Sequence, residues 1–156
     1  MRIVPDLGDV LSRGFFGIGV FHSKSVQNIG TLWRSAHCFG AAFIFTVGRR
    51  YEQQASDTMK TQRHIPLYHY KDIGEMKTNT PFGTRIVGVE LTERSKPLST
   101  FTHPETAIYL LGAEDHGLNP EAIAACHSLV QIEGASRCLN VAVAGSIVIY
   151  DRISKS

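Results

Sequence analysis

Short apolar runs alternate along the chain with longer segments of mixed polarity. Five of them, Gly14 to Phe21, Ala42 to Val47, Arg85 to Leu91, Ala107 to Leu111 and Ser128 to Ile132, have the length and the Val, Ile and Phe content of strands. Their apolar residues do not alternate with polar ones. This predicts strands buried on both faces, as parallel strands covered by helices are. Between them, Ile29 to Phe39 reads as a helix opened by Asn28 as N-cap and closed by Gly40, and Tyr51 to Lys60 as a polar helix. Asn119-Pro120-Glu121 combines a cap residue, a proline at the first helical position and an acid in the first turn, so a short helix runs from there to about Cys126. Strand and helix taking turns in this way define an α/β class.

The last periodic segment, Asn140 to Ile153, carries apolar or small residues on every side of its helical projection, among them Val141, Val143, Ile147, Val148 and Tyr150. A surface helix has only one apolar stripe, so this one is expected to be covered on two faces. The sheet covers one. The other is covered either by a second subunit or by the rest of the same chain.

Composition narrows the class. The chain has 156 residues, 43% of them apolar, and nothing divides it, so it reads as one domain over 1–156 with a core that needs no covalent staples. No apolar run has the roughly 18 residues of a membrane span, and the start lacks a signal peptide's apolar stretch, which makes the cytoplasm the expected location. Cys38, Cys126 and Cys138 are odd in number and widely spaced, which argues for reduced thiols rather than disulfides or a structural zinc. The seven histidines, His64 and His69 among them, show no metal-ligand spacing, so no metal is expected. Gly17-Ile18-Gly19 opens like a dinucleotide fingerprint, but His22 stands where its third glycine belongs; the P-loop, Gly-x-Ser-x-Gly and His-Glu-x-x-His are absent.

Three motifs at junctions between an apolar run and a helix remain: Asn28-Ile29-Gly30-Thr31-Leu32-Trp33-Arg34, then Gly112-Ala113-Glu114-Asp115-His116-Gly117-Leu118, then Cys138-Leu139-Asn140-Val141-Ala142-Val143-Ala144. Together, in this order, they resemble the SpoU branch of the SPOUT superfamily, the S-adenosylmethionine-dependent RNA ribose 2′-O-methyltransferases, over about Phe15 to Ile153. The family's Asn-x-Gly-x-x-x-Arg is met by Asn28, Gly30 and Arg34, followed by Ala36, Phe39 and Gly40. Its Gly-x-Glu-x-x-Gly-Leu is met by Gly112, Glu114, Gly117 and Leu118. Its Ser-Leu-Asn-Val-Ser-Val-Ala is met by Leu139, Asn140, Val141, Val143 and Ala144, with Cys138 in place of the serine. Val130-Gln131-Ile132 stands where the family has Ile-Pro-Met, and the proline often found before the first motif is missing.

The resemblance implies a parallel-sheet SPOUT fold with a C-terminal deep trefoil knot and a homodimer. It implies S-adenosylmethionine as cofactor, held in a pocket against Leu111, Gly112, Ile132, Cys138 and Leu139. The 2′-OH of a ribose is a poor nucleophile until it loses its proton, so the site must supply a base or stabilise the developing alkoxide. Arg34 is the family's candidate. Arginine stays charged in proteins, which favours electrostatic stabilisation over proton abstraction. Asn28 is then expected to orient Arg34 or the ribose, Glu114 to hold a site loop or the arginine of a second copy, and Asn140 to cap the last helix beside the nucleophile. Taken singly, each is also an ordinary cap, turn or surface charge.

A net charge of +2 neither requires nor excludes nucleic acid, so clustering matters. The densest cluster is Arg49-Arg50-Tyr51 with Lys60, Arg63 and His64, and Lys24 lies beside the first motif; the cluster reads either as an RNA surface, in which Tyr51 stacks on a base, or as a solvated face. Among family members the chain is most similar to the minimal ones that methylate the wobble ribose of tRNA, which makes tRNA the expected substrate. An rRNA methyltransferase and a non-catalytic dimer that binds RNA or cofactor are the alternatives.

Overall fold

The computed structural model describes residues 14–48, 64–113 and 116–156. Seven strands form one sheet: β1 (Phe15–Phe21), β2 (Phe43–Val47), β3 (Leu67–Tyr70), β4 (Arg85–Val89), β5 (Lys96–Pro97), β6 (Thr106–Gly112) and β7 (Ser128–Gln131). Their order is β3-β2-β1-β6-β4-β7-β5 and every ladder is parallel. Among the described residues four helices cover it: α1 (Val26–Cys38), α2 (Ile73–Asn79), α3 (Pro120–Ala125) and α4 (Val141–Ser154). The α/β class and the buried parallel strands expected from the apolar runs are both present. β1, β2 and β6 are buried along nearly their whole length because each face meets its own apolar layer.

The faces divide residue by residue. Phe16, Ile18, Val20, Tyr109 and Leu111 point into the layer formed with α1 and α4, whereas Phe21, Ile108 and Leu110 join Phe43, Phe45, Met76 and Ala122 on the side of α2 and α3. Gly17 and Gly19 belong to this second layer. A Cβ on Gly17 would lie 2.5 Å from the tip of the Phe43 ring, and one on Gly19 would strike Phe45. The glycine pair that opens like a nucleotide motif therefore serves aromatic packing across β1 and β2.

Several boundaries differ from the sequence reading. Gly14, Ala42, Leu91 and Ile132 fall just outside their strands, while Thr106 and Gly112 extend β6. Helix α1 starts three residues earlier than Ile29, because Ser25 and not Asn28 is its N-cap: the Ser25 hydroxyl accepts from the Asn28 backbone N–H at 3.2 Å. At the other end Gly40, with φ +79, allows Gly40 N–H to donate to His37 and Ala41 N–H to donate to Ala36, a Schellman closure. Asn119 caps α3 through Ala122 N–H at 2.8 Å, as its motif predicts. β3, α2, β5 and a 3-10 turn at Leu98–Thr100 were not expected. The expected helix Tyr51 to Lys60 lies outside the described residues.

Helix α4 is apolar all round, and the structure shows what covers one of its faces. Val141, Ala142, Gly145, Val148, Ile149 and Arg152 are buried. Gly145 is pressed so closely onto the sheet and α1 that a Cβ there would lie 2.5 Å from Leu32 and 2.9 Å from Leu111. On the opposite side Val143 is 48% and Tyr150 62% exposed. At its C-terminal end Arg152 is buried, donating to the carbonyls of Pro104 at 2.6 Å and Glu105 at 2.7 Å and to the Tyr109 hydroxyl at 3.0 Å, with its guanidinium 4.9 Å above the Phe16 ring.

Candidate functional site

Parallel sheets bind ligands beyond the carboxyl ends of their strands, where the connecting loops diverge. Here the segments that follow β4, β6 and β7, three neighbours in the sheet, enclose a cleft of about 670 Å³. That is in the range of small-molecule sites, roughly 300–1,000 Å³. One wall is Val89 to Thr92 after β4; a second is Leu111 to Ala113 with His116 to Leu118; the third is Gln131 and Ile132 with Ala135 to Leu139, backed by Val141 and Ala144 of α4. All five positions expected to hold a cofactor, Leu111, Gly112, Ile132, Cys138 and Leu139, line it. The surfaces are mainly aliphatic. Among the described lining residues the full charges are one carboxylate, Glu90, and one guanidinium, that of Arg137.

The second motif forms a tight return. Gly117 N–H donates to Ala113 carbonyl at 3.0 Å, and Gly117, with φ +61, turns the chain back over Gly112. A Cβ on Gly112 would lie 2.5 Å from the Gly117 Cα and 2.7 Å from the Leu118 nitrogen, so glycine is demanded there by the chain's own closure. Glu90 fastens this return from the segment that follows β4. Its Oε2 accepts from Leu118 N–H at 2.7 Å and its Oε1 from Leu91 N–H at 3.0 Å. Sequence reasoning missed Glu90, Arg137 and His116; the available signal for Glu90 was a lone carboxylate where a buried strand ends.

The third motif meets the first. Asn140 Oδ1 accepts from Ala142 N–H at 2.9 Å and Val143 N–H at 3.2 Å, capping α4 as expected, and its Nδ2 donates to Asn28 Oδ1 at 2.9 Å. Since Ser25 takes the capping role on α1, the Asn28 side chain is available for this bond. A second link ties the same helices further along, from Ser146 Oγ to Ser35 Oγ at 2.8 Å. The loop that forms the third wall of the cleft thus leads directly into the asparagine that holds the start of α1.

Arg34 is exposed and lies on α1, six residues beyond Asn28, about 9 Å along the axis and roughly 120° around it. It does not line the cleft. Lys24 is exposed in the turn between β1 and α1. Glu114, Arg49, Arg50 and Arg63 lie outside the described residues. His69 and His64 have local contacts: His69 Nδ1 lies 2.8 Å from the Thr46 hydroxyl, and His64 stacks on His37 at 4.3 Å. Among the described residues no cluster of three or more His, Cys, Asp or Glu side chains could hold a metal. Cys138 and Cys38 are exposed thiols, while burial pushes Cys126 up to about 11.

Comparison with known proteins agrees with this geometry. The model of the family described as "SpoU rRNA Methylase family" matches residues 17–150. The chain is 29% identical over 134 residues to the Mus musculus tRNA (guanosine(18)-2'-O)-methyltransferase TARBP1, covering 80% of this chain and 8% of that protein. It is 32% identical over 72 residues to the 23S rRNA (guanosine-2'-O-)-methyltransferase RlmB of Acinetobacter baylyi, 45% of this chain and 29% of that one. The chain therefore spans well under two thirds of the curated relatives it matches. Among solved structures, an AdoMet-bound rRNA methyltransferase from Sinorhizobium meliloti superposes with TM-score 0.79 at 22% identity, over 91% of this chain and 57% of that one. A structure described by the 2-OH methylation of C/U34 on tRNA superposes with TM-score 0.76 at 21% identity, over 90% of this chain and 95% of that one.

Proposed function

The chain belongs to the SpoU rRNA Methylase family, and from that premise we propose that it transfers a methyl group from S-adenosylmethionine to a ribose 2′-OH of RNA. The observation that carries this reading is the cleft in which all five expected cofactor positions converge, directly beside the bond between Asn28 and Asn140. Its aliphatic walls suit an adenine ring, and the Arg137 guanidinium suits the carboxylate of an amino-acid tail. The residues fit the cofactor: Leu111, Ile132 and Leu139 would enclose it, with Gly112 and Cys138 beside them on the lining.

When bound, the cofactor supplies an electrophilic methyl group. The protein must then place a hydroxyl in line and favour its deprotonated form. Arg34 is assigned to that task as a fixed positive charge beside the ribose and its phosphate, with Asn28 and Asn140 holding the start of α1 and Glu114 holding a site loop. Because Arg34 lies outside the cleft lining, the RNA has to bridge from α1 to the cleft. Lys24, Arg49, Arg50 and Arg63 are assigned to its phosphates. The substrate is proposed to be tRNA, at the wobble nucleotide. In support, the structure associated with C/U34 of tRNA is nearly coextensive with this chain. The rRNA alternative keeps support from the Acinetobacter relative.

Three further features belong to the same reading. The exposed apolar face of α4, with Val143 and Tyr150, is covered by a second copy of the chain. The segment leading into α4 is threaded through a loop as a deep trefoil knot; its support is that this segment and the return at Gly117 face one cleft while α4 lies buried against α1. The whole chain acts as one domain in the cytoplasm; no helix among the described residues is long and apolar enough to cross a membrane.

The decisive test pairs two measurements. Calorimetry is expected to show saturable binding of S-adenosylmethionine, and mapping of 2′-O-methyl nucleotides in cells with and without the gene is expected to show one lost site in tRNA. A site lost from rRNA instead would move the substrate, and no cofactor binding together with no lost site would end the reading.

A further inference from the structure

We propose that Glu90 is a positioning residue of the cofactor site, acting through the return at Gly117 rather than by touching the cofactor; this rests on the methyl-transfer reading above. The second motif has a requirement that its own residues do not explain. Gly117 has φ +61, and a Cβ added there would run into the Glu90 carboxylate. Leu118 presents its N–H to that same carboxylate at 2.7 Å, and Gly112 is held to glycine by the approach of Gly117 and Leu118. Two of the motif's positions thus meet a side chain 28 residues before Leu118 in the chain, just beyond β4, and the third, Gly112, is packed against those two.

The chemistry suits a carboxylate. A backbone N–H at a tight return has no helix or ladder partner, and burying it without an acceptor is costly. Glu90 accepts such a donor, the Leu118 N–H on the return after β6, and also the exposed Leu91 N–H of its own segment after β4, and so ties two walls of the cleft together. A charged acceptor makes the stronger bond. Gln131 and Arg137 line the opposite wall, and Gln131 Nε2 donates there to the Ser95 carbonyl at 3.3 Å. Without Glu90 the return loses this tie to the segment after β4, and the wall formed by Gly112, Ala113 and His116 to Leu118 is free to shift by the small displacement that matters in a preformed site.

The test uses the full chain, with S-adenosylmethionine, S-adenosylhomocysteine and 5′-methylthioadenosine as probes, so the RNA need not be known. Glu90→Gln, which keeps one acceptor oxygen, is expected to weaken binding of all three about tenfold. Glu90→Ala weakens them further. The melting temperature of the cofactor-free Glu90→Gln protein stays close to that of the parent, and the Leu118 amide resonance shifts. Equal affinity of parent and Glu90→Gln overturns the proposal. So does a loss confined to the two ligands that carry the amino-acid tail, since it would mean direct contact with that tail. If Glu90→Gln lowers the melting temperature as much as Glu90→Ala does, the residue is a general structural one and the proposal fails. If the parent itself binds none of the probes, it is the methyl-transfer reading that fails instead.

Discussion

Two asparagines at positions 28 and 140 share one hydrogen bond, yet they carry different loads. Asn140 satisfies two otherwise orphaned N–H groups of α4 as well as donating to Asn28. Asn140→Ala is therefore expected to lower stability by about 1–2 kcal/mol in urea denaturation, and Asn28→Ala by clearly less, since Ser25 continues to cap α1. Equal losses would contradict this division. Arg34 is exposed and apart from the cleft, so Arg34→Ala should leave S-adenosylmethionine affinity unchanged in calorimetry and abolish methyl transfer; normal turnover would remove its assigned role. Cys138→Ser restores the family residue at an exposed cleft position and should change neither binding nor stability measurably. These residues were legible because their chemistry sits inside contiguous motifs. Glu90 was not, because its meaning depends on a backbone N–H 28 positions away that only the folded sheet brings within reach.

Among the elements, α4 shows most clearly what periodicity can and cannot convey. Its all-round apolar pattern implied two covered faces; Gly145 shows how tightly one of them is closed, while Val143 and Tyr150 leave the other exposed in the single chain. Gly145→Ala forces a methyl group to 2.5 Å from Leu32 and 2.9 Å from Leu111, and overpacking of this kind costs typically about 1–3 kcal/mol, measurable in the same denaturation assay. The short elements β3 and α2 escaped notice for a physical reason. β3 is a half-exposed edge strand with no continuous apolar run, and α2 has only seven residues, too few for a helical period to show, although Asp72 caps it through Glu75 N–H at 2.8 Å.

The far end of α4 carries a titratable network. Arg152 donates to the Tyr109 hydroxyl, which lies 2.7 Å from His103 Nδ1; His103 Nε2 lies 2.7 Å from Asp151 Oδ2, itself 2.8 Å from Lys155 Nζ. With the Tyr109 oxygen already accepting from Arg152, its O–H donates to Nδ1, and the neutral imidazole donates from Nε2 to Asp151. A second proton on Nδ1 would leave the tyrosine hydrogen without an acceptor. Burial is the larger influence, with Arg152 and Lys155 adding to it, and they hold His103 below its ordinary 6.5 despite Asp151. The unfolded chain then binds more protons than the folded one between that lowered value and 6.5, so stability falls as pH drops through this window and is fully retained above it. Thermal unfolding followed from pH 7.5 downward should show the decline, and His103→Gln should flatten it.

At the scale of the molecule, the order β3-β2-β1-β6-β4-β7-β5 places β6, β4 and β7 side by side, and this adjacency assembles a cleft from three stretches of chain that are far apart in sequence. The α/β class and the five longer apolar strands could be read in advance, and the five expected cofactor positions do line one cleft. The adjacency could not, since apolar runs say which segments are buried but not which are neighbours. The exposed apolar face of α4 belongs to this scale too: sedimentation is expected to show a dimer, and Tyr150→Asp, placing a charge where the side chain is now 62% exposed, should yield monomer with its fold intact. A monomeric parent protein would leave that face without its assigned cover.

The buried arginine near the end of α4 bears finally on how the molecule resists force. Arg152 is clamped to the carbonyls that precede β6, and Lys155 to those of Leu98 and Phe101. An unfolding motor that pulls on the chain at Ser156 would load these bonds together before any turn of the helix could peel away. Pulled from this end, the protein should yield late and at once; pulled by β3, at the sheet's margin, it should fray strand by strand.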